Sequence, residues 1–509
     1  MNASSVNKIN TLGQLKASGY APRSIKDEMR SNLITRLKSG TSVFQGILGY
    51  DQTVIPQIQN AVLGRHDFIL LGLRGQAKSR IIRLLPQLLD EYIPVVAGSE
   101  INDDPLSPIS KYARDLIAEQ GDDTPIDWLH RNKRYAEKLA TPDTTIADLI
   151  GDIDPIKAAN LRLTYADEEV IHFGIIPRTH RGIFAINELP DLQPRIQVGL
   201  LNIMEEQDIQ IRGFNIRFPL DIMMIFSANP EDYTNRGNII TPLKDRIDSQ
   251  IITHYPKTIE IGVEITRQEA WDERDGEDAV KVNIPYYFRE IIEQVAVEAR
   301  NSEYVDQKSG VSVRMTRAAL EDLISSAEQR ALLNDESETT VRMSDLISVE
   351  PAVTGKVELV YEGEQEGAQN VARLLIGRAI KSVFTHYFPD PDDKKEGRSP
   401  YQEVITWFSK GNELRLSNDL KFEAYHKMLK SVKGLEAIIN KYTKPKDVAE
   451  AATAMEFILD ALHQYSMLGK DFADANATYT DMMGSMLSSI GPIKDDDDFD
   501  EDDFYGNYR

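Results

Sequence analysis

The chain has 509 residues, enough for several domains with their own cores, and no cysteine, which excludes disulfides, thiolate metal sites and cysteine nucleophiles. Its net charge is −23, of which −7 sits in Lys494–Asp503 (KDDDDFDEDD); the rest is still acidic enough to exclude duplex nucleic acid as the default partner, because phosphate binding needs a basic face. Hydrophobic content of 41% with 27% charged residues suits a soluble globular protein, and no apolar run approaches the roughly 18 residues of a membrane helix. The stretch MNASSVNKINTLGQLK lacks the apolar core of a signal peptide, so a cytoplasmic location is expected.

Residues 1–45 read as a helical preface. In SIKDEMRSNLITRLKSG, Ser24 stands as an N-cap, and Met29, Leu33, Ile34 and Leu37 recur at helical spacing. GILG at 46–49 follows, with Ile47 and Leu48 candidates to clamp a nucleotide base or else plain core. An amphipathic stretch, Asp51–Leu63, then leads into DFILLGLRGQAKSR, residues 67–80. Here a buried strand, Phe68–Leu71, feeds a loop with Gly72 and Gly75 that ends in Lys78 and Ser79 as a helix begins. Such a loop cradles phosphate: glycines admit close backbone approach, Lys78 supplies charge, and the Ser79 hydroxyl can ligate magnesium. Ala77 stands where a glycine usually precedes the lysine. The competing reading is an ordinary glycine turn with an incidental lysine.

Ile93–Val96 reads as a second strand of a parallel α/β sheet. Residues 102–143 are polar and read as inserted, with a helical piece, SKYARDLIAEQ, and with Trp128 and His130 in local packing. The apolar strand Gly182–Ile186 then closes on Asn187 and Glu188, the position at a sheet's C-terminal edge where a phosphate-loop enzyme holds magnesium and orients water. Glu188 would polarise that water. A helix (PRIQVGLLNIMEEQ), a hairpin with Gly213 near its turn, and a buried strand, Ile222–Phe226, follow. That strand ends at SANP, where Asn229 can hydrogen-bond the attacking water or the terminal phosphate, or can simply make a turn with Pro230. In LKDRID, Arg246 is placed to reach a neighbouring subunit.

From about 257 the pattern is helical, with Arg314 and Arg317 at the head of one helix, a Gly- and Glu-rich connector at 353–367, and an exposed linker, PDPDDKKEGRSP. Further helices precede a tail, 491–509, expected to be disordered. Phe499, Phe504, Tyr505 and Tyr508 among its acids suit either a solubilising tail or a tether for a partner.

These motifs together resemble the AAA+ ATPases of the helix-2-insert clade, and within it the magnesium-chelatase I-subunit and MoxR-type ATPases. The resemblance covers about residues 44–330. It rests on GLRGQAKS, on TTIADLIGDIDPIKA, and above all on IHFGIIPRTHRGIFAINELPDL. It implies an α/β P-loop NTPase (AAA+) fold: a parallel sheet flanked by helices, followed by a helical lid and an additional helical C-terminal region. The implied division is a preface (1–45), a nucleotide-binding domain (46–256) with an insert near 102–180, a lid (257–388), a C-terminal helical region (389–490) and the tail. It also implies that Gly72, Leu73, Arg74, Gly75, Gln76, Ala77, Lys78, Ser79 and Arg80, with Ile47, bind ATP, and that Ser79 and Asn187 serve Mg2+. Glu188 and Asn229 would act in catalysis, Arg246 as arginine finger and Arg314 as second sensor. The implied assembly is a homo-oligomeric, hexameric ring with a von Willebrand A domain partner.

Two departures bear on function. Asn187 replaces the expected aspartate, and the chain beyond about 350 is longer than a chelatase lid. The leading expectation is an ATP-hydrolysing ring that remodels or activates a protein partner. A nucleotide-gated scaffold with little hydrolysis and a metal-chelatase motor are the alternatives. An enhancer-dependent transcription activator lacks its GAFTGA-like loop here.

Overall fold

A computed structural model describes residues 9–161, 168–211, 217–229, 238–274, 276, 279–393, 399–473 and 476–482. They form two compact units, Met1–Ile261 with Lys308–Ser312, and Gly262–Gln307 with Val313–Arg509. The stretches expected to form a lid and a separate C-terminal region therefore share one unit.

In the first unit the apolar runs become a five-stranded parallel sheet. Its strands are β1 (Phe68–Leu71), β2 (Tyr135–Leu139), β3 (Gly182–Asn187), β4 (Ile222–Ala228) and β5 (Ser249–Ile252), in spatial order β5-β1-β4-β3-β2. The central three, β1, β3 and β4, are buried at every residue, as continuous apolar strands are when helices cover both faces. The period of two divides each strand between two cores. Phe68, Leu70, Ile183, Ala185, Met223 and Ile225 pack with α1 (Ile25–Ser39), α2 (Val54–Leu63) and α3 (Lys78–Leu84). Ile69, Leu71, Phe184, Ile186, Met224 and Phe226 pack with α4 (Pro194–Glu205) and α5 (Thr241–Arg246).

Helix α1 starts where its cap residue predicts, the Ser24 hydroxyl accepting from Asp27 N at 3.2 Å. What fastens it is a carboxylate buried on its apolar face. Glu28 takes a bidentate pair from Arg134, both contacts 2.7 Å, and also accepts from Asp90 N at 2.6 Å. Arg134 is 1% exposed and donates its Nε to Arg181 O, so the guanidinium is held on both edges.

The sheet's composition differs from the sequence reading at one strand. Tyr92–Val96 pairs antiparallel with Ile126–His130 and lies outside the five-stranded sheet. An apolar run does not name its partner, and Pro94, lacking an N–H, suits a two-stranded ribbon better than a sheet interior. The strand beside β3 is instead β2, from YAEKL, inside the segment read as inserted. Its half-exposed residues carry no strong strand signal. Trp128 packs locally, donating Nε1 to Ile9 O at 2.8 Å, and His130 Nδ1 accepts from Asn132 N. The hairpin expected before β4 is present as Asp208–Gln210 against Arg217–Pro219. Its Gly213, together with Pro230 and the acidic tail from 491, lies outside the described residues.

The second unit is mainly helical, with α6 (Tyr286–Asn301), α7 (Val313–Leu333), α8 (Ala368–Tyr387) and α9 (Val448–Gln464) as its longest helices. Helix α9 is central to it: Phe457 stacks on Tyr287 at 4.8 Å and meets Phe384 edge-on at 5.4 Å. The connector and the strands depart from the expectation, a parallel pair of Lys281–Asn283 with Glu338–Thr340 among them. Residues 361–366 of the connector form a short helix, Tyr361–Glu366. A three-stranded antiparallel sheet joins Leu414–Ser417, Asn476–Thr480 and Gly469–Ala473. Its strands are four or five residues each, too short for their alternation to stand out.

Candidate functional site

The parallel register brings three strand ends together. Leu71 lies opposite Ala228, and Phe226 opposite Ile186, so the loop after β1, the tip of β4 and the tip of β3 share one edge of the sheet. At that edge sit Lys78, Asn229, Asn187 and Glu188.

The loop's shape follows from its residues. Gly72 is required: a Cβ there would fall 1.9 Å from Thr253 Oγ1 and 2.1 Å from Gln76 Oε1. Those two side chains hydrogen-bond each other at 2.7 Å, and the threonine hydroxyl also reaches Leu71 O, tying the loop to the end of β5. Gly75 has φ +75° and Ala77 φ +56°, both left-handed, the second where an alanine is strained by roughly 1–2 kcal/mol. Tyr50 steadies the same turn, its hydroxyl donating to Gln76 O and His254 O. Burial pushes that hydroxyl up to about 12, so it remains a donor.

Lys78 opens α3 and is buried. Its ammonium donates to Gly72 O, to Leu73 O at 3.0 Å and to Asn229 Oδ1 at 2.7 Å. The amide of Asn229 in turn donates from Nδ2 to Glu188 Oε2 at 3.1 Å. A cation, an amide and a carboxylate thus stand in one hydrogen-bonded line. Glu188 itself is left-handed, φ 56°, at the bend leaving β3, which turns its carboxylate toward Asn229 rather than along the strand. Asn187 is bound differently: its Oδ1 accepts from the Ser227 hydroxyl at 3.1 Å, and Ser227 Oγ also accepts from Glu188 N at 3.4 Å. Gln76 is one of the expected loop residues, whereas Ser227, Thr253 and Tyr50 are supporting residues that sequence reading missed. Ser227 and Thr253 signal only as small polar residues near a strand end, which are too common to single out, and Tyr50 carries no local signal.

The remaining expected residues fall into four groups. Leu73, Arg74, Ser79 and Arg80 lie on the loop and the start of α3, with the Ser79 hydroxyl on an exposed residue. Ile47 is buried in the core of Phe44 and Tyr50, 5% exposed. Arg246, at the end of α5, is ion-paired with Glu205 of α4 and donates to Pro242 O at 2.9 Å. Arg314 belongs to the second unit, where it is exposed at the head of α7.

The donors near the edge are a hydroxyl, an amide oxygen and a carboxylate. Such a set fits magnesium, a hard cation that retains waters and binds through one or two protein oxygens and phosphate. Among the described residues no group of three or more histidines and acids is arranged to hold a metal alone. Among them, too, no helix is long and apolar enough to cross a membrane.

Residues 126–247 match the family model of the AAA domain, dynein-related subfamily. That range includes Asn187, Glu188, Asn229 and Arg246. Two curated relatives are magnesium-chelatase 38 kDa subunits. The one from Cereibacter sphaeroides is 26% identical over 234 residues, covering 45% of this chain and 64% of its own, and the one from Acidiphilium rubrum is 27% identical over 215 residues, covering 41% and 56%. The aligned part thus spans less than two thirds of either relative. Solved structures overlap only loosely. A putative ATPase from Cytophaga hutchinsonii is 14% identical, with a TM-score of 0.29 over 71% of this chain and 97% of its own. A chain from the complex between subunits BchI and BchD of magnesium chelatase, seen by single-particle cryo-EM, is 20% identical, with a TM-score of 0.33 over 63% and 98%.

Proposed function

We propose that this chain, which carries an AAA domain and is distantly homologous to the magnesium-chelatase 38 kDa subunit, binds ATP with Mg2+ and hydrolyses it in an oligomeric ring that acts on a protein partner. The observation that carries the reading is the Lys78–Asn229–Glu188 line across the C-terminal edges of β1, β4 and β3.

Each residue has a task that follows from its place. The carbonyls now holding the Lys78 ammonium are weaker acceptors than phosphate oxygens, so Lys78 can turn to the β- and γ-phosphates once they enter. That turn releases Asn229 Oδ1, leaving Asn229 to orient water while its Nδ2 keeps Glu188 in place. Glu188 then accepts the water's proton or polarises it for in-line attack. Ser79 and, through a water, Asn187 would hold magnesium, which when bound would supply positive charge to offset that of the phosphates. Arg246 would exchange Glu205 for the phosphate of an adjacent protomer, a contribution worth on the order of a thousandfold in rate.

The test is ATP turnover with magnesium across a range of protein concentrations, beside Lys78→Ala, Glu188→Gln and Arg246→Ala. The expected result is turnover per chain that rises with concentration and disappears in all three. A second reading, a nucleotide-gated scaffold, is favoured by one observation: Asn187 is neutral and its acceptor oxygen is already engaged by Ser227. It would be preferred if ATP bound, bound less in Lys78→Ala, and was never turned over.

A further inference from the structure

The second unit carries an excess of lysine on the outer side of two helices, Phe422–Ser431 and Leu435–Tyr442. Both are amphipathic and lay their apolar sides on α9. Tyr425, Leu429, Leu435, Ile438 and Ile439 are buried, and the Tyr425 hydroxyl donates to Glu456 of α9 at 2.6 Å. Away from that side stand Lys427 and Lys430, and Lys433 continues their spacing of three into the corner between the helices. Lys441, Lys444 and Lys446 follow at the end of the second helix and just beyond it. All six are exposed.

Residues 421–447 hold seven lysines and three acids, a net +4 in a chain of −23. Two of those acids are engaged: Glu436 pairs with Lys430 at 3.2 Å, and Asp447 caps α9 by accepting from Glu450 N at 2.8 Å. The third, Glu423, lies in the first turn of the first helix, and Glu403 backs the corner at Gly434. Among the described residues Lys427, Lys433, Lys444 and Lys446 form no ion pair, so like charges stand together uncompensated.

The same chain carries the opposite charge. Residues 494–503 hold eight acids and one lysine, with Phe499 among them. The strand that leads toward them, Asn476–Thr480, places Tyr479 opposite Leu414, and the strand Leu414–Ser417 runs through residues 418–421 into the first lysine-bearing helix. Met482 is the last described residue. From there to Lys494 the chain can span up to about 40 Å, whereas the helix Phe422–Ser431 is about 15 Å long, so reach does not limit contact.

We propose that residues 494–503 dock within their own chain across this lysine face. One exposed ion pair is weak, but several made together by a segment held at a local concentration on the order of millimolar keep it in place. Phe499 adds an aromatic face for a lysine ammonium. A separate polyanion approaches against the −23 charge of the whole chain, whereas the tail is already part of it. Docked, the tail keeps other polyanions from the face. The inference is independent of the ATPase reading.

The test is lysine acetylation of the full chain read by mass spectrometry, with the exposed Lys38 and Lys257 of the first unit as references. At low salt, Lys427, Lys433, Lys444 and Lys446 are expected to react roughly threefold or more slowly than in a chain carrying Asp495→Asn, Asp496→Asn, Asp497→Asn and Asp498→Asn together. High salt should remove the difference. Carbodiimide, which joins a carboxylate to an amine in contact with it, should link residues 495–503 to these lysines, and in a mixture of isotopically light and heavy chains the links should fall within one chain. As a second arm, Lys427→Glu with Lys433→Glu should speed acetylation of Lys444 and Lys446, with circular dichroism checking the fold. Equal rates in the native and tail-neutralised chains, protection that survives high salt, or links only between chains would each overturn the proposal. So would equal binding of a single-stranded oligonucleotide to both chains at low salt, since the face would then belong to nucleic acid.

Discussion

Asn187 is the residue whose chemistry most affects how the candidate site would run. Its amide holds the Ser227 hydroxyl at 3.1 Å, and an aspartate of the same shape could accept that bond with one carboxylate oxygen while presenting the other to a metal-bound water. Asn187→Asp therefore adds a negative charge without removing a contact. The expected outcome is a fall in the magnesium concentration that half-saturates turnover, by roughly tenfold, the equal of about 1.4 kcal/mol. Steady-state assays with varied magnesium measure it, and an unchanged half-saturation would mean that Asn187 does not face the metal. Gly72 makes a complementary prediction. With Thr253 Oγ1 1.9 Å from where its Cβ would lie, Gly72→Ala must displace the Thr253–Gln76 bond that shapes the loop. ATP affinity, read by equilibrium binding, should drop by at least as much as in Lys78→Ala; near-normal affinity would show that the loop adapts.

Among the elements, α1 shows how a preface helix becomes part of the sheet's support. Its apolar residues Ile25, Met29 and Leu33 bury as the periodicity indicates, yet Leu37, on the same predicted stripe, is 46% exposed. The position that matters beside them is Glu28, a charge that a hydrophobicity pattern assigns to solvent. Glu28→Ala would leave Arg134 buried and unpaired, which costs about 3–5 kcal/mol. Chemical denaturation followed by tryptophan fluorescence should report a loss of that size, and a loss below about 1 kcal/mol would mean that water reaches Arg134 once the carboxylate is gone. The same contrast explains what can be read from the sequence. Strands β1, β3 and β4 and the loop between β1 and α3 stand out because continuous apolar runs and glycine spacing are local signals. Strand β2 is half-exposed and its neighbours are set by tertiary pairing, so YAEKL reads as part of an insertion while IPVV reads as sheet. Within the site, Lys78 is legible from the glycine loop that precedes it, and Asn229 and Glu188 from their place at strand ends. Ser227 and Thr253 are not, because their roles exist only once the strands lie side by side.

At the scale of the whole molecule, the pH dependence of stability should carry two opposed contributions from neighbouring buried groups of the first unit. Burial first, and the charge of neighbouring Arg181 second, lower the His180 pKa to about 3, and its Nδ1 accepts from Asp221 N at 3.0 Å, a bond that protonation at Nδ1 would break. Since an unfolded histidine titrates near 6.5, the unfolded chain binds the extra proton between those values. Stability is then lost as pH falls through about 6.5, by roughly 1.4 kcal/mol per unit. Asp221 acts the other way. Burial raises its pKa to about 6, although Ile25 N donates to both its oxygens, at 2.8 and 3.0 Å. The folded state therefore holds a proton that an unfolded aspartate, near 3.9, has released, and stability is gained as pH falls from about 6 toward 4. Between pH 7 and pH 5 the histidine would cost about 2 kcal/mol and the aspartate would return about 1.4, so the two nearly cancel. Separate substitutions expose the cancellation. Asp221→Asn should deepen the acid loss over that interval to about 2 kcal/mol, whereas His180→Gln should turn it into a gain of about 1.4 kcal/mol. Denaturant midpoints of the three proteins at pH 7 and pH 5 decide the matter, and parallel changes in all three would mean that neither buried group sets the acid response.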